Sequence, residues 1–107
     1  MDVADKIAVV TGGGRGIGRG IALALAENGA HVVIAEIIEE NARETAKLVE
    51  DLGRRAMTVI VDVTDQSSVD RLIPEVLGQF DRVDILINNA GVIGASGWEQ
   101  RERVTEE

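Results

Sequence analysis

The sequence predicts an α/β fold in which a parallel sheet carries helices on both faces. Three observations predict it. Short runs rich in β-branched residues alternate with longer stretches of helical periodicity, in the order strand, helix, strand, helix, strand, helix, strand. The strand runs are continuously apolar, as expected of strands covered on both faces. A glycine-rich turn joins the first strand to the first helix.

The elements follow in order. Lys6 to Thr11 is a short buried strand halted by glycine. Ile17, Ile21, Ala22, Ala24, Leu25 and Ala26 recur at helical spacing, and Gly29 supplies the stop. His31 to Ala35 is a second strand, in which His31 marks the entry. Glu39 to Leu52 is an amphipathic helix with Ala42, Ala46 and Val49 on its inner face, closed by Gly53. Ala56 to Val61 is a third strand, followed by the turn-like Asp62-Val-Thr-Asp65. Ser67 is placed to cap a helix running to about Gln79, although Pro74 inside it argues for a break. Val83 to Asn88 is the fourth strand. Gly94 to Glu107 is more polar and reads as loop until Thr105, a capping residue followed by two acids, suggests a new helix start. A domain seldom ends at such a point, so one incomplete domain spanning residues 1–107 is expected.

Composition narrows the function. The chain has 45% apolar and 28% charged residues, ordinary for a soluble globular domain. No apolar run approaches the roughly 18 residues of a membrane helix, and the acidic start does not resemble a secretory signal. A cytoplasmic location, no membrane and no nucleic-acid partner are therefore expected. The net charge of −8 and the absence of a basic stripe weigh against phosphate-backbone binding. With no cysteine, disulfides and thiolate metal sites are excluded, and no cluster has metal-ligand spacing.

The turn Thr11-Gly-Gly-Gly-Arg-Gly-Ile-Gly18 carries the chemistry. Glycines allow tight turns and let backbone approach a pyrophosphate, while the helix N-terminus beyond favours anions. The spacing G-x-G-x-x-G does not fit. A P-loop is a near miss, because Arg19-Gly20 stands where Lys and Ser/Thr would hold phosphate and magnesium. The pattern T-G-x-x-x-G-x-G does fit, through Thr11, Gly12, Gly16 and Gly18. With Asn88-Asn-Ala-Gly91 after the fourth strand and Asp62-Val63 after the third, the sequence resembles the short-chain dehydrogenase/reductase family. The resemblance covers almost the whole chain, but only the first half of that family's pattern.

The resemblance implies a Rossmann-like three-layer fold with strand order 3-2-1-4, truncated after the fourth strand. It implies that Gly12, Arg15, Gly16, Ile17 and Gly18 surround the pyrophosphate and neighbouring ribose of a nicotinamide dinucleotide. Asp62 and Val63 would meet the adenine, and Asn89, Ala90 and Gly91 the ribose and nicotinamide. Blander roles stand beside these: Asp62 bonding its own turn, Asn88 tying strands together, and Trp98 packing loosely or marking a covered surface.

Glu36 lies about 20 residues beyond Gly16, where an acid is expected against the ribose hydroxyls. Unit charges 4 Å apart interact by about 4 kcal/mol at an effective dielectric near 20. After solvent screening, roughly 1–3 kcal/mol would oppose the extra phosphate of NADP, about ten- to a hundredfold in affinity. Arg15 pulls toward NADP, and NAD is the cofactor favoured.

The family's catalytic tyrosine and Tyr-x-x-x-Lys arrangement have no counterpart, since the chain has no tyrosine. No catalytic residue is assigned. The chain is expected to be the cofactor-binding portion of an oxidoreductase acting on alcohols or carbonyls, whose complete form is a homo-oligomer. The alternative is a stand-alone, non-catalytic dinucleotide-binding or interaction module. An unpaired fourth strand, exposing Ile85-Leu-Ile87, would leave such a domain prone to association.

Overall fold

The computed structural model describes residues 2–89. The order is β1 (Ile7–Thr11), α1 (Gly16–Glu27), β2 (His31–Glu36), α2 (Glu39–Asp51), β3 (Ala56–Ile60), α3 (Gln66–Gln79) and β4 (Ile85–Asn88). All pairings are parallel and the sheet order is β3-β2-β1-β4. This is the Rossmann-like topology expected. Ala90, Gly91, Trp98 and the stretch from Gly94 to Glu107 lie outside the described residues.

Strand alternation divides the core between two faces. Ala8, Val10, Val32 and Ile34 pack against Ala22, Leu25 and Ala26 of α1 and Ala42 and Val49 of α2. Ile7, Val9, Val33 and Ala35 pack with Val59 against Leu72 and Val76 of α3, with Phe80 just beyond its end. Every residue of β1 is buried, because it is central in the sheet and covered on both sides.

Several local expectations are corrected. The inner face of α2 carries Ala42, Ala46 and Val49 as expected, and Thr45, not foreseen there, is fully buried beside them. Helix α3 is capped by Asp65, whose side chain accepts from Ser67 N at 3.0 Å; Ser67 lies inside the first turn. A carboxylate two residues ahead reaches that N–H, while the Ser67 hydroxyl donates to the same carboxylate. Pro74 does not break α3. It removes the bond to the Asp70 carbonyl, but both residues are on the exposed face, where water can take that acceptor.

Strand β4 begins at Ile85 and not Val83, because the Asp84 carboxylate takes the Ile7 N–H at 2.8 Å where a ladder carbonyl would otherwise serve. Among the described residues β4 is an edge strand, and Leu86 on it is exposed.

Candidate functional site

Parallel strands place all their C-terminal ends on one rim, so each loop that follows a strand opens there. The glycine-rich turn leaves β1, Glu36 ends β2, Asp62 and Val63 follow β3, and Asn89 follows β4. The sheet order sends α1 to one face and α3 to the other, and strand order reverses beside β1, the point at which open α/β sheets generally bind their ligands.

The turn is built around two glycine requirements. Gly16 has φ +59°, and the position a Cβ would take has no atom within 4 Å, so backbone there is open to an approaching ligand. Gly18 is the opposite case: a Cβ would collide with the Gly12 carbonyl oxygen. One glycine is needed for backbone shape and the other for closeness of helix and strand.

Helix α1 starts at Gly16 without a side-chain cap, Arg15 being extended at φ −162°. The first N–H groups of a helix have no intrahelical acceptor, and no side chain among the described residues supplies one here. Arg15 and Ile17 are exposed beside them. An anion with phosphate oxygens fits that set of donors, so these residues suit a dinucleotide pyrophosphate.

Glu36 is buried, at 9% exposure, and braced by backbone. Its Oε1 accepts from Gly14 N at 2.9 Å; its Oε2 accepts from Ile37 N at 3.0 Å and Ile38 N at 3.3 Å. A carboxylate offers about four acceptor positions, leaving about one for an outside hydroxyl.

The β4 end is latched to the turn. Thr11 Oγ1 lies 3.2 Å from Asn88 Oδ1 and 3.3 Å from the Ile87 carbonyl, and accepts from Asn89 N at 2.9 Å. Asn89 Nδ2 reaches the Gly12 carbonyl at 3.4 Å. Asn88 thus ties neighbouring strands, while Asn89 contacts the turn itself.

Asp62 stands apart from this group. Its Oδ1 accepts from Thr64 N at 2.9 Å and from Thr64 Oγ1 at 2.6 Å, a local turn of the kind Asp often makes. Its N–H donates to buried Ser68 Oγ at 3.0 Å, and Val63 beside it is exposed. Nearby, the Asp65 carboxyl is held below the usual carboxylate range, first by the Ser67 hydroxyl and then by the Ser67 N–H. The structure therefore brings Gly12, Gly18, Glu36 and Asn89 into contact around one turn, and keeps Asp62 and Val63 on the same rim two strands away from β1.

Two residues escaped notice in the sequence. Arg19 and Thr45 both bond the Gly14 carbonyl, at 2.6 and 3.1 Å. The available signal was a polar, β-branched residue on the inner face of an amphipathic helix, where an aliphatic residue would pack equally well.

A concavity of about 380 Å³ lies at the opposite rim, lined in part by Asp5, His31, Arg55, Phe80 and Arg82. Its polar groups engage one another, with the Arg55 guanidinium 4.4 Å from the Phe80 ring centre and His31 Nδ1 accepting from Arg55 N at 3.0 Å. Among the described residues no group of three His, Asp or Glu side chains is placed to hold a metal, and no helix is long and apolar enough to cross a membrane.

The sheet order, the uncapped glycine turn and the acid at the end of β2 define a Rossmann-like fold with a dinucleotide-type turn. The chain belongs to the short-chain dehydrogenase family, whose model, described as short chain dehydrogenase, matches residues 6–107. It is 45% identical over 92 residues to a sorbitol dehydrogenase of Cereibacter sphaeroides, covering 86% of this chain and 35% of that protein. Among solved structures, an NAD+-bound xylitol dehydrogenase superposes with TM-score 0.83 at 33% identity, over 89% of this chain and 36% of the other. An L-sorbose reductase from Gluconobacter frateurii, complexed with NADPH and L-sorbose, gives TM-score 0.82 at 40% identity, over 89% and 36%. The chain thus spans about a third of the length of these relatives.

Proposed function

We propose that this chain binds a nicotinamide dinucleotide along the C-terminal rim of its sheet, preferring NAD to NADP, and supplies the cofactor portion of an oxidoreductase that interconverts alcohols and carbonyls. Bound nicotinamide supplies the hydride acceptor or donor. Gly12, Arg15, Gly16, Ile17 and Gly18 hold the pyrophosphate side through open backbone N–H groups. Asp62 and Val63 face the adenine, and Asn89 with Ala90 and Gly91 the nicotinamide side. Similar structures carry NAD+ in one case and NADPH in another, so the preference rests on this chain's own residues. Family membership favours this reading over a non-catalytic module.

The observation that carries the preference is Glu36, fixed by three backbone N–H groups against the turn. Calorimetric titration of the chain with NAD and NADP tests it. NAD is expected to bind about ten- to a hundredfold more tightly, and Glu36→Gln to narrow the gap mainly by improving NADP binding. Equal affinities for both dinucleotides in the unsubstituted chain, or a gap unchanged in Glu36→Gln, would remove Glu36 as the discriminator. The chain contains no tyrosine, so turnover is assayed in a longer chain of the same protein, if one exists, and not in this one.

A further inference from the structure

A threonine in the middle of a helix ordinarily turns its hydroxyl to solvent or back to a carbonyl of its own helix. Thr45 does neither. It is fully buried on the inner face of α2, and its Oγ1 donates to the Gly14 carbonyl at 3.1 Å while accepting from Arg19 Nε at 2.9 Å. Arg19 Nη2 donates to the same carbonyl at 2.6 Å. Valine has the same shape and would fill the same space, so the hydroxyl's contribution is the link to Gly14.

Gly14 is held on its other side as well, its N–H donating to Glu36 Oε1 at 2.9 Å. The fit is close: a Cβ on Gly14 would stand 2.6 Å from Glu36 Oε1 and 2.8 Å from Asn41 Cβ. The Gly14–Arg15 peptide is planar and trans, so its N–H points opposite to its carbonyl. Drawing the carbonyl toward Thr45 and Arg19 therefore directs the Arg15 N–H away from α2. No acceptor within the described residues engages that N–H.

We propose that Thr45 and Arg19 are positioning residues of the dinucleotide site. From α2 and α1 they lock the Gly14–Arg15 peptide, and through it orient the Arg15 N–H and set the Glu36 carboxylate against the turn. This rests on the dinucleotide reading above and extends it, because it places control of the turn on two residues expected to make no contact with the ligand. Helix α2 acts as a brace: its packing on the sheet is transmitted to the turn through the Thr45 hydroxyl, and through the Arg19 guanidinium, which also pairs with Glu44 of α2 at 3.1 Å.

The test compares Thr45→Val, which keeps the shape, with Thr45→Ser, which keeps the hydroxyl. Each is titrated with NAD by calorimetry at a temperature where circular dichroism shows it folded. Thr45→Val is expected to weaken NAD binding about three- to tenfold, the worth of roughly one net hydrogen bond, and Thr45→Ser to stay within about twofold of the unsubstituted chain. A lowered melting temperature with unchanged NAD affinity in Thr45→Val would reduce Thr45 to packing and overturn the proposal.

Should Thr45→Val not fold, Arg19→Lys serves instead, since lysine keeps the charge but cannot engage Thr45 and Gly14 together; the same loss is expected. If the unsubstituted chain fails to bind NAD, the dinucleotide reading is what fails. The lock is then read from amide exchange by NMR. Faster exchange at Gly14 in Thr45→Val but not in Thr45→Ser supports it, and equal rates in all three refute it.

Discussion

The two rims of the sheet use polar side chains in opposite ways. At the C-terminal rim they are buried and spent on backbone. Thr11, Glu36, Thr45 and Ser68 are the buried polar residues among those described, and each bonds the backbone of a loop that leaves a strand. At the N-terminal rim polar groups largely pair with one another near solvent. Asp5, 77% exposed, takes Arg54 at 3.1 Å and faces His31 at 3.6 Å, and Arg82 pairs with Asp84 at 2.9 Å.

The difference is energetic. Removing one partner of a buried bond strands the other, at a cost of about 1–3 kcal/mol. Removing one member of an exposed ion pair costs about 0–1 kcal/mol. Loops that must present N–H groups in fixed positions are fastened by the first kind of contact.

The largest expected break in this contrast is at Gly18. A side chain there meets the Gly12 carbonyl, so Gly18→Val should cost about 3 kcal/mol or more and abolish dinucleotide binding. Two residues on, Gly20 has nothing within 4 Å of a built Cβ. Gly20→Ala should stabilise the same helix by about 0.5–1 kcal/mol. Urea melts of the two variants check the opposite signs, and a shared sign would mean that the helix start is not packed as described.

Next in size is Thr11→Val, which leaves the Asn89 N–H without its acceptor. A loss of about 1–3 kcal/mol is expected in the same melts, with Thr11→Ser losing less than about 1 kcal/mol. On the opposite rim, Asp5→Asn removes the charge that pairs with both Arg54 and His31 while keeping a residue that suits the φ of +61° there, and should cost less than about 1 kcal/mol, shrinking further in molar salt. An Asp5→Asn loss equal to that of Thr11→Val would erase the distinction between the rims.

The smallest effect is the pH response of His31. Burial, then the positive charge of Arg54, holds its pKa below the ordinary 6.5, with Asp5 opposing. The fold therefore favours the neutral ring, whose Nδ1 accepts from Arg55 N. The sign follows: the unfolded chain binds the proton more readily, so the contribution is complete above pH 6.5 and declines as pH falls through the folded value. Melting temperatures between about pH 7.5 and pH 5 should fall in the unsubstituted chain, and the His31→Gln chain should lack that part of the slope.

Family relationship and sheet order were legible because their signals are local or repeat at fixed spacing. T-G-x-x-x-G-x-G and Asn88-Asn-Ala-Gly91 are contiguous motifs, and each strand is a single apolar run. Side-chain assignments were less legible. Helical spacing admits Ala46 and Thr45 almost equally to the face of α2, and apolar character favoured Ala46; the structure packs Ala46 on the core and buries Thr45 beside it. Ile17 shares the helical spacing of the buried residues of α1 yet is exposed, since α1 begins at the rim of the sheet. Asp62 illustrates the reverse, since its local turn with Thr64 was foreseeable from two polar residues two positions apart.

By itself the sequence determined the order of elements, the glycine turn and the acid at the end of β2, because propensity, periodicity and turn chemistry act within a few residues. Only the tertiary structure decided which groups hold that turn. Gly14 meets Glu36 across 22 residues and Thr45 across 31, and Thr11 meets Asn89 across 78. Such contacts form when the sheet brings distant loops to one rim, and no local pattern along the chain specifies which buried hydroxyl will face which carbonyl.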